Sequence, residues 1–206
     1  MEKYQNIKSP ENVSNEEETF RQYFDELELK PEDFNKVILD VGAGEAYFAK
    51  WAKDHNVCST IYSLEPFQKM MENEKNLVGY AEEIPMPDKS FDMIVSNGAI
   101  PNIYLGEKDV KEKVEKGFSE MIRVLKDGGE IKIARVLIGN KYENQKILAN
   151  CIKETLDHLK EKFNIDIKMT HTPINDTYEY DENKNRKNLL AESFLIVLQK
   201  PKKEVV

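Results

Sequence analysis

Short apolar runs alternate along the chain with segments whose apolar residues recur at helical spacing. The clearest run is VILDV at 37–41, which Gly42, Ala43 and Gly44 follow at once. This pattern is typical of a buried parallel strand that enters a tight turn. Similar runs predict seven strands in all, at 37–41, 60–65, 77–80, 91–96, 130–138, 165–169 and 194–199.

Amphipathic segments lie before and between these strands. Over 107–126 the apolar residues share one helical face, and Asp127-Gly128-Gly129 is expected to end this helix and turn the chain. An amphipathic helix over 15–29 is expected to precede the sheet. Further helices are predicted through 48–52, at 68–74 and over 147–163.

Strands that alternate with helices predict an α/β fold with a mostly parallel sheet and helices on both faces. The last two predicted strands have no helix between them that is long and apolar enough to cover a sheet face. A right-handed parallel crossover is therefore unavailable, and we expect the last strand to run antiparallel between the fifth and the sixth. Residues 194–198 are apolar on both faces, which favours this central place over an edge.

A chain of 206 residues is long enough for one buried α/β core, and we expect a single domain. Within it we distinguish an amino-terminal helical segment, 1–30, which is expected to act as a lid, from a main domain at 31–206. No internal repeat or low-complexity linker divides the main domain further.

Composition excludes several classes of protein. The chain is 33% charged and 40% hydrophobic, which is typical of a globular protein, and no apolar run approaches the roughly 20 residues of a membrane helix. The amino-terminal stretch is polar and acidic and lacks the apolar centre of a secretory signal, so a cytoplasmic location is predicted. A net charge of -8 argues against an extended nucleic-acid surface. Cys58 and Cys151 lack metal-ligand spacing, so we expect two buried thiols and no metal site.

In open α/β sheets ligands bind beyond the carboxyl ends of the strands, so the loops there carry the candidate chemistry. The first loop places Asp40 inside a strand and Gly42 and Gly44 in the turn, where backbone can approach a ligand closely at a helix amino terminus. A dinucleotide fingerprint would need a further glycine where Tyr47 stands, which disfavours a pyrophosphate. Glu65 lies about twenty residues beyond the turn and is placed to accept hydrogen bonds from ribose hydroxyls, a role that suits NAD and S-adenosylmethionine equally.

Four segments occur in an order that is more specific than any one of them. They are VILDVGAGEAYFA, YSLEP, GYAEEIPMPDKSFDMIVSNGAI and EMIRVLKDGGEIKIA. Together they resemble the class I S-adenosylmethionine-dependent methyltransferases, particularly the methyltransferase type 11 group, over about 37–135. The resemblance implies a Rossmann-like sheet of seven strands in the order 3-2-1-4-5-7-6, with S-adenosylmethionine as the cofactor.

The resemblance also implies a set of cofactor-binding residues. The glycine turn would flank the methionine part, Glu65 would hold the ribose, and the end of the fourth strand would border the sulfonium. The full set is Asp40, Gly42, Ala43, Gly44, Glu65, Pro66, Ala81, Glu82, Ser96, Asn97 and Gly98. This chain departs from the family pattern at Ala46, where a third glycine is usual, and at Tyr80, where an acid often meets the adenine amino group.

Methyl transfer requires alignment of a nucleophile with the sulfonium carbon, and a general base is optional. Of the three histidines, His55 and His158 fall on predicted helices, whereas His171 follows the sixth strand on the active side and is the catalytic candidate. The fourth strand ends in SNGAIPNIY, which lacks the Asp/Asn-Pro-Pro-aromatic sequence of methyltransferases that act on adenine or glutamine amino groups.

We therefore expect methyl transfer to an oxygen, nitrogen or carbon atom of a small molecule. Substrate choice is expected in the segment before Lys30, the loop 99–106 and the connection 170–187. Three alternatives stay open: another group-transfer or cyclisation reaction with the same cofactor, a non-catalytic partner subunit, and an NAD-dependent oxidoreductase.

Overall fold

The computed structural model describes residues 14–58, 60–67, 69–70, 73, 75–180, 184 and 186–202. In this part of the chain, strands alternate with helices over 38–163, except that no helix is described in the intervals 65–75 and 78–90. The helices are α1 (Asn15–Glu26), α2 (Tyr47–Asp54), α3 (Val110–Val124) and α4 (Glu143–Phe163). The strands are β1 (Ile38–Val41), β2 (Ile61–Leu64), β3 (Asn76–Leu77), β4 (Phe91–Asn97), β5 (Leu125–Ile138), β6 (Asp166–His171), β7 (Thr177–Tyr180) and β8 (Arg186–Gln199).

The sheet has the order β3-β2-β1-β4-β5-β8-β6. β8 runs antiparallel to both β5 and β6, and the other pairs along this path are parallel. The predicted order and the central antiparallel last strand are thus confirmed, with β8 as the strand that was predicted seventh. β7 was not among the predicted strands; it pairs with the first half of β8 and makes eight strands among the described residues.

Three predicted elements differ from the structure. Strand β3 ends at Leu77 instead of Tyr80 because its one neighbour, β2, ends where Leu64 pairs with Leu77, so Val78 onward has no strand to bond. The helix predicted at 68–74 is not present at the described positions 69, 70 and 73, and its other residues lie outside the described part.

The double glycine does not end a helix and turn the chain as expected. β5 begins at Leu125 and continues through Gly128 and Gly129, while its register against β4 shifts between the pairs Phe91–Leu125 and Met93–Glu130. A Cβ on Gly129 would lie 2.8 Å from the carbonyl oxygen of Asp92. The close approach of two strand backbones therefore requires glycine here.

Alternate residues of the central strands face two apolar layers. Leu39 and Ile94 belong to the layer that α3 and α4 cover, whereas Ile38 and Met93 belong to the layer of α1 and α2. This alternation explains why these strands read as continuous apolar runs. Helices on both faces of the sheet are confirmed.

Helix α1 is joined to the main domain by an aromatic cluster. Phe20 and Tyr23 are buried, and their rings pack on Phe34, Phe48 and Trp51, with 4.1 Å between the centroids of Phe20 and Trp51. Ser14 caps the helix by accepting a hydrogen bond from the Glu17 N–H. The described part of the amino-terminal segment is therefore anchored in the core.

Cys58 and Cys151 are free and buried, as expected. Within the described ranges, no helix is both long and apolar enough to cross a membrane.

Candidate functional site

The carboxyl ends of β1, β2 and β4 meet at one edge of the sheet. After β1 the chain enters left-handed conformations at Gly42, Gly44 and Ala46, with φ of 77°, 56° and 64°, before α2 begins. A Cβ on Gly42 would lie only 2.3 Å from that of Ala99, so the loop after β4 packs directly on the turn. The N–H groups of Gly42 and Ala43 both donate to the Leu64 carbonyl and tie the turn to β2.

Glu65 joins the end of β2 to the glycine turn. Its side chain accepts a hydrogen bond from the Gly44 N–H at 3.2 Å through Oε2 and one from the Phe67 N–H at 3.1 Å through Oε1. The residue is 8% exposed. An acid at this place, beside a close-approach turn, is the group that accepts a hydrogen bond from a ribose hydroxyl in Rossmann-type sites.

Asp40 lies beneath this edge and is fully buried. Tyr23 of α1 donates a hydrogen bond to its Oδ1 at 3.2 Å, and Oδ2 has no hydrogen-bond partner in the described part of the chain. Burial raises the pKa of Asp40 to about 8, and the nearby charge of Glu65 acts in the same direction, while the hydrogen bond from Tyr23 opposes it. Asp40 therefore connects β1 to α1 largely as a neutral acid at pH 7.

A pocket opens between the end of β2, the loop 79–82 and the loop after β4. It brings together four residues of the predicted cofactor set, Gly42, Pro66, Ala81 and Glu82. Its apolar walls include Val41, Leu64, Ile100, Ile103 and Tyr104. Such a slot between two loops suits a flat ring system.

The end of β4 carries the remaining predicted residues. Ser96 is fully buried, and its Oγ accepts a hydrogen bond from the Ile100 N–H, so it shapes the following loop. The Asn97 Oδ1 is buried with no partner within the described ranges. Gly98 donates its N–H to the Ala134 carbonyl and ties this strand end to β5.

His171 lies at the end of β6, on the same edge of the sheet but away from these groups. Three strand spacings separate β6 from β4, a distance of about 14 Å. Its Nε2 lies 3.1 Å from both carboxylate oxygens of Asp176. Although burial acts to raise the pKa of Asp176, hydrogen bonds from Ser193 and His171 lower it overall. The catalytic role of His171 stays a prediction.

Two polar networks beside the site were missed by the sequence analysis. In the first, the guanidinium of Arg123 in α3 donates to the carbonyls of Ile84 and Met86 and to Glu120 and Asp88. The Ile84 N–H donates in turn to Glu120. This network holds the loop that follows Ala81 and Glu82. Residues at helix positions 120 and 123 are a common surface pair, so sequence spacing alone gave no signal.

The second network surrounds Arg135 of β5. Arg135 forms an ion pair with Glu26 of α1, with 2.5 Å between Nη2 and Oε1. The Asn102 side chain donates to the carbonyls of Gly98 and Arg135 and accepts from the Leu137 N–H. The ion pair joins residues 109 positions apart and Asn102 reaches Arg135 across 33 positions, separations that local sequence patterns do not report.

Comparisons with known proteins agree with this arrangement. The sequence family described as "Methyltransferase domain" matches residues 39–133. A malonyl-[acyl-carrier protein] O-methyltransferase of Buchnera aphidicola is 30% identical over 120 residues, which are 55% of this chain and 44% of that protein. The chain thus aligns with less than half of this curated relative.

Solved structures share the fold at low sequence identity. The YcgJ protein of Bacillus subtilis gives a TM-score of 0.53 at 16% identity, covering 81% of this chain and 92% of that chain. Phosphoethanolamine N-methyltransferase 2 of Haemonchus contortus, solved with S-adenosylhomocysteine, gives 0.51 at 15% identity, covering 81% of this chain and 48% of that chain.

The sheet order, the glycine turn and the acid at the end of β2 define a Rossmann-like methyltransferase fold. The family match over residues 39–133 supports the same assignment, a class I S-adenosylmethionine-dependent methyltransferase with S-adenosylmethionine as the cofactor.

Proposed function

We propose that the chain transfers the methyl group of S-adenosylmethionine to an oxygen, nitrogen or carbon atom of a small molecule. The observation that carries this proposal is the hydrogen bond between Glu65 and the Gly44 N–H at the carboxyl edge of the sheet. In the proposal Glu65 holds the ribose, and Gly42, Ala43 and Gly44 approach the methionine part. Pro66, Ala81 and Glu82 line the adenine slot, and Ser96, Asn97 and Gly98 border the sulfonium. Asp40 supports the turn from below.

The bound cofactor would supply an electrophilic methyl carbon, and the chain's own residues would align the acceptor with it. Few groups at this edge could serve as a general base. The His55 ring stacks on Trp51, and its Nδ1 lies 3.0 Å from the Trp51 carbonyl oxygen. His158 is exposed on α4, and His171 lies three strand spacings from β4. Proximity and orientation are thus the main proposed source of rate.

The segment before Lys30, the loop 99–106 and the connection 170–187 are proposed to choose the acceptor. Part of the connection is ordered as β7 and β8, and His171 at its start would contact a distant part of the acceptor. Residues 1–30 are proposed as a cover for the site, with residues 1–13 outside the described part of the chain. A cytoplasmic location is also proposed.

The test is the formation of S-adenosylhomocysteine by the purified chain with a panel of small-molecule acceptors. A thermal-shift screen in the presence of S-adenosylhomocysteine would select the panel, because ligands that bind the native state raise its Tm. The name of the curated relative makes malonyl thioesters the first class to include. Binding of the cofactor without turnover of any acceptor would favour a non-catalytic or other group-transfer role, and preferential binding of NAD would favour an oxidoreductase.

A further inference from the structure

Arg135 occupies a strained position at the active edge of the sheet. Between the pairs Ile133–Ile196 and Val136–Phe194, two residues of β5 face the single residue Leu195 of β8, which is a β-bulge. Arg135 is the second bulged residue and has a φ of 54°, a left-handed conformation that a non-glycine side chain seldom adopts. Bulges next to active sites commonly re-aim a side chain, and strained residues cluster at functional sites.

The bulge is held in register with the end of β4. The Asn102 Nδ2 donates to the Arg135 carbonyl at 2.6 Å and to the Gly98 carbonyl at 3.3 Å, and its Oδ1 accepts from the Leu137 N–H at 3.0 Å. The Cδ of Arg135 would lie 3.7 Å from a Cβ on Gly98. The arginine therefore stands beside the strand end that is proposed to border the sulfonium.

The guanidinium retains binding capacity at this place. Within the described part of the chain, its hydrogen bonds use Nη2 alone, with Glu26 as the partner; Nε is buried without a partner, and 40% of the side chain is exposed. A guanidinium has five N–H donors and binds carboxylates in a planar, two-bond geometry. Glu26 is 13% exposed and supplies an internal counter-ion.

Resting on the proposed function, we infer that the methyl acceptor is a carboxylate held by Arg135, with Glu26 as its competing internal partner. An ionised carboxylate needs no general base, which agrees with the distance of His171 from the end of β4. One carboxylate oxygen donates a lone pair to the methyl carbon while the S–CH3 bond breaks and its electron pair returns to sulfur. The products are a methyl ester and S-adenosylhomocysteine, and no proton is moved.

The experiment compares malonyl-coenzyme A with acetyl-coenzyme A, which lacks the free carboxylate. Binding is measured by calorimetry on the full chain with S-adenosylhomocysteine present, and turnover is measured with methyl-labelled cofactor. Malonyl-coenzyme A is expected to bind more tightly and to yield label that alkali releases as methanol, as an ester requires. Equal behaviour of the two thioesters, including no binding of either, or a label that alkali does not release, would overturn the inference.

Variants separate recognition from a purely structural ion pair. Arg135→Gln should weaken malonyl-coenzyme A binding about ten- to a hundred-fold, as loss of charged hydrogen bonds does, and Arg135→Lys should restore part of it. Glu26→Gln should instead strengthen it, because the competing carboxylate is removed. Arg21→Gln, which breaks the Arg21–Glu17 pair on the same helix, is the matched control and should change nothing.

If Arg135 served only to tether α1, the Arg135→Gln and Glu26→Gln variants would shift acceptor affinity in the same direction, and that result would refute the inference. Affinity for S-adenosylhomocysteine should stay unchanged in all four variants. This measurement tests the proposed function separately. If the unmodified chain did not bind S-adenosylhomocysteine, that result would count against cofactor binding and not against the role of Arg135.

Discussion

The hydroxyl of Tyr23 in α1 lies 3.2 Å from Oδ1 of Asp40 in β1 and donates a hydrogen bond to it. This contact joins the amino-terminal helix to the strand that leads into the glycine turn. Both residues are buried, and burial raises the pKa of each. The packing of α1 on β1 therefore depends on the protonation of the Asp40 carboxyl.

Asp40→Asn tests this dependence. With a folded pKa of about 8 against an ordinary value of 3.8, the folded chain holds a proton on Asp40 that the unfolded chain loses. The contribution of Asp40 is therefore complete below about pH 4 and is lost as pH rises towards 8. The asparagine variant lacks this loss, so its Tm should gain on that of the unmodified chain between pH 4 and pH 8 and then level off. Parallel Tm curves would contradict the raised pKa.

Glu65→Ala should weaken binding of S-adenosylhomocysteine about ten- to a hundred-fold, because hydrogen bonds to a charged acceptor typically contribute about 1.5–3 kcal/mol. Calorimetry on the folded variant is the measurement. Glu154→Ala, on the exposed face of α4, is the control and should bind normally. Unchanged affinity in Glu65→Ala would remove Glu65 from the site.

The two glycines of the turn should respond differently to alanine. Both have positive φ, so each substitution carries the left-handed cost of about 1–2 kcal/mol. At Gly42 the new Cβ also meets Ala99 at 2.3 Å, whereas at Gly44 it meets nothing within 4 Å. Urea unfolding should show Gly42→Ala to be less stable than Gly44→Ala by about 1–3 kcal/mol, the usual cost of overpacking. Equal losses of unfolding free energy in the two variants would mean that the loop after β4 moves away from the new Cβ without an energetic cost.

Deletion of residues 1–13 tests the proposed cover. The shortened chain retains Ser14, the cap of α1, and should bind S-adenosylhomocysteine with unchanged affinity. Its turnover of the identified acceptor should fall, since those residues are proposed to cover the acceptor side. Normal turnover by the shortened chain would show that they do not.

The sheet order and the glycine turn after β1 could be predicted because they depend on local patterns. The apolar runs around Ile38 and Ile94 reflect burial on both sheet faces, and the missing helix between the last two strands fixed the direction of β8. The glycines at 42 and 44 predicted the turn, and the acid at 65 was predicted to lie beside it. The helix end and turn predicted at Gly128 and Gly129 were wrong, because two adjacent glycines are typical both of a helix end and of an irregular strand.

The proposed acceptor side of the site could not be predicted in this way. Arg135 lies in a β-bulge that the pairing of β5 with β8 creates. The Asn102 side chain, more than thirty positions away along the chain, donates a hydrogen bond to its carbonyl. The strand β7 was missed because polar residues in a two-stranded extension carry no burial pattern. Contacts of this kind arise only when the folded sheet brings distant segments together.

The guanidinium of Arg123 is predicted to set the adenine wall of the pocket. It donates to the Ile84 carbonyl at 3.0 Å and to the Met86 carbonyl at 2.9 Å, while Glu120 accepts from the Ile84 N–H at 3.0 Å. These bonds hold the backbone just beyond Ala81 and Glu82, both of which line the pocket.

Arg123→Lys keeps the charge but has no planar fork to reach both carbonyls and Glu120 at once. Losing about two such bonds should cost roughly 1–3 kcal/mol of unfolding free energy, and the amide of Ile84 should lose protection in hydrogen exchange. Affinity for S-adenosylhomocysteine should also fall in this variant. Asp88→Asn is the matched control, because the Asp88 side chain is 72% exposed and exposed ion pairs contribute little. If Asp88→Asn lowered cofactor affinity as much as Arg123→Lys, the surface charge and not the carbonyl bonds would hold the loop.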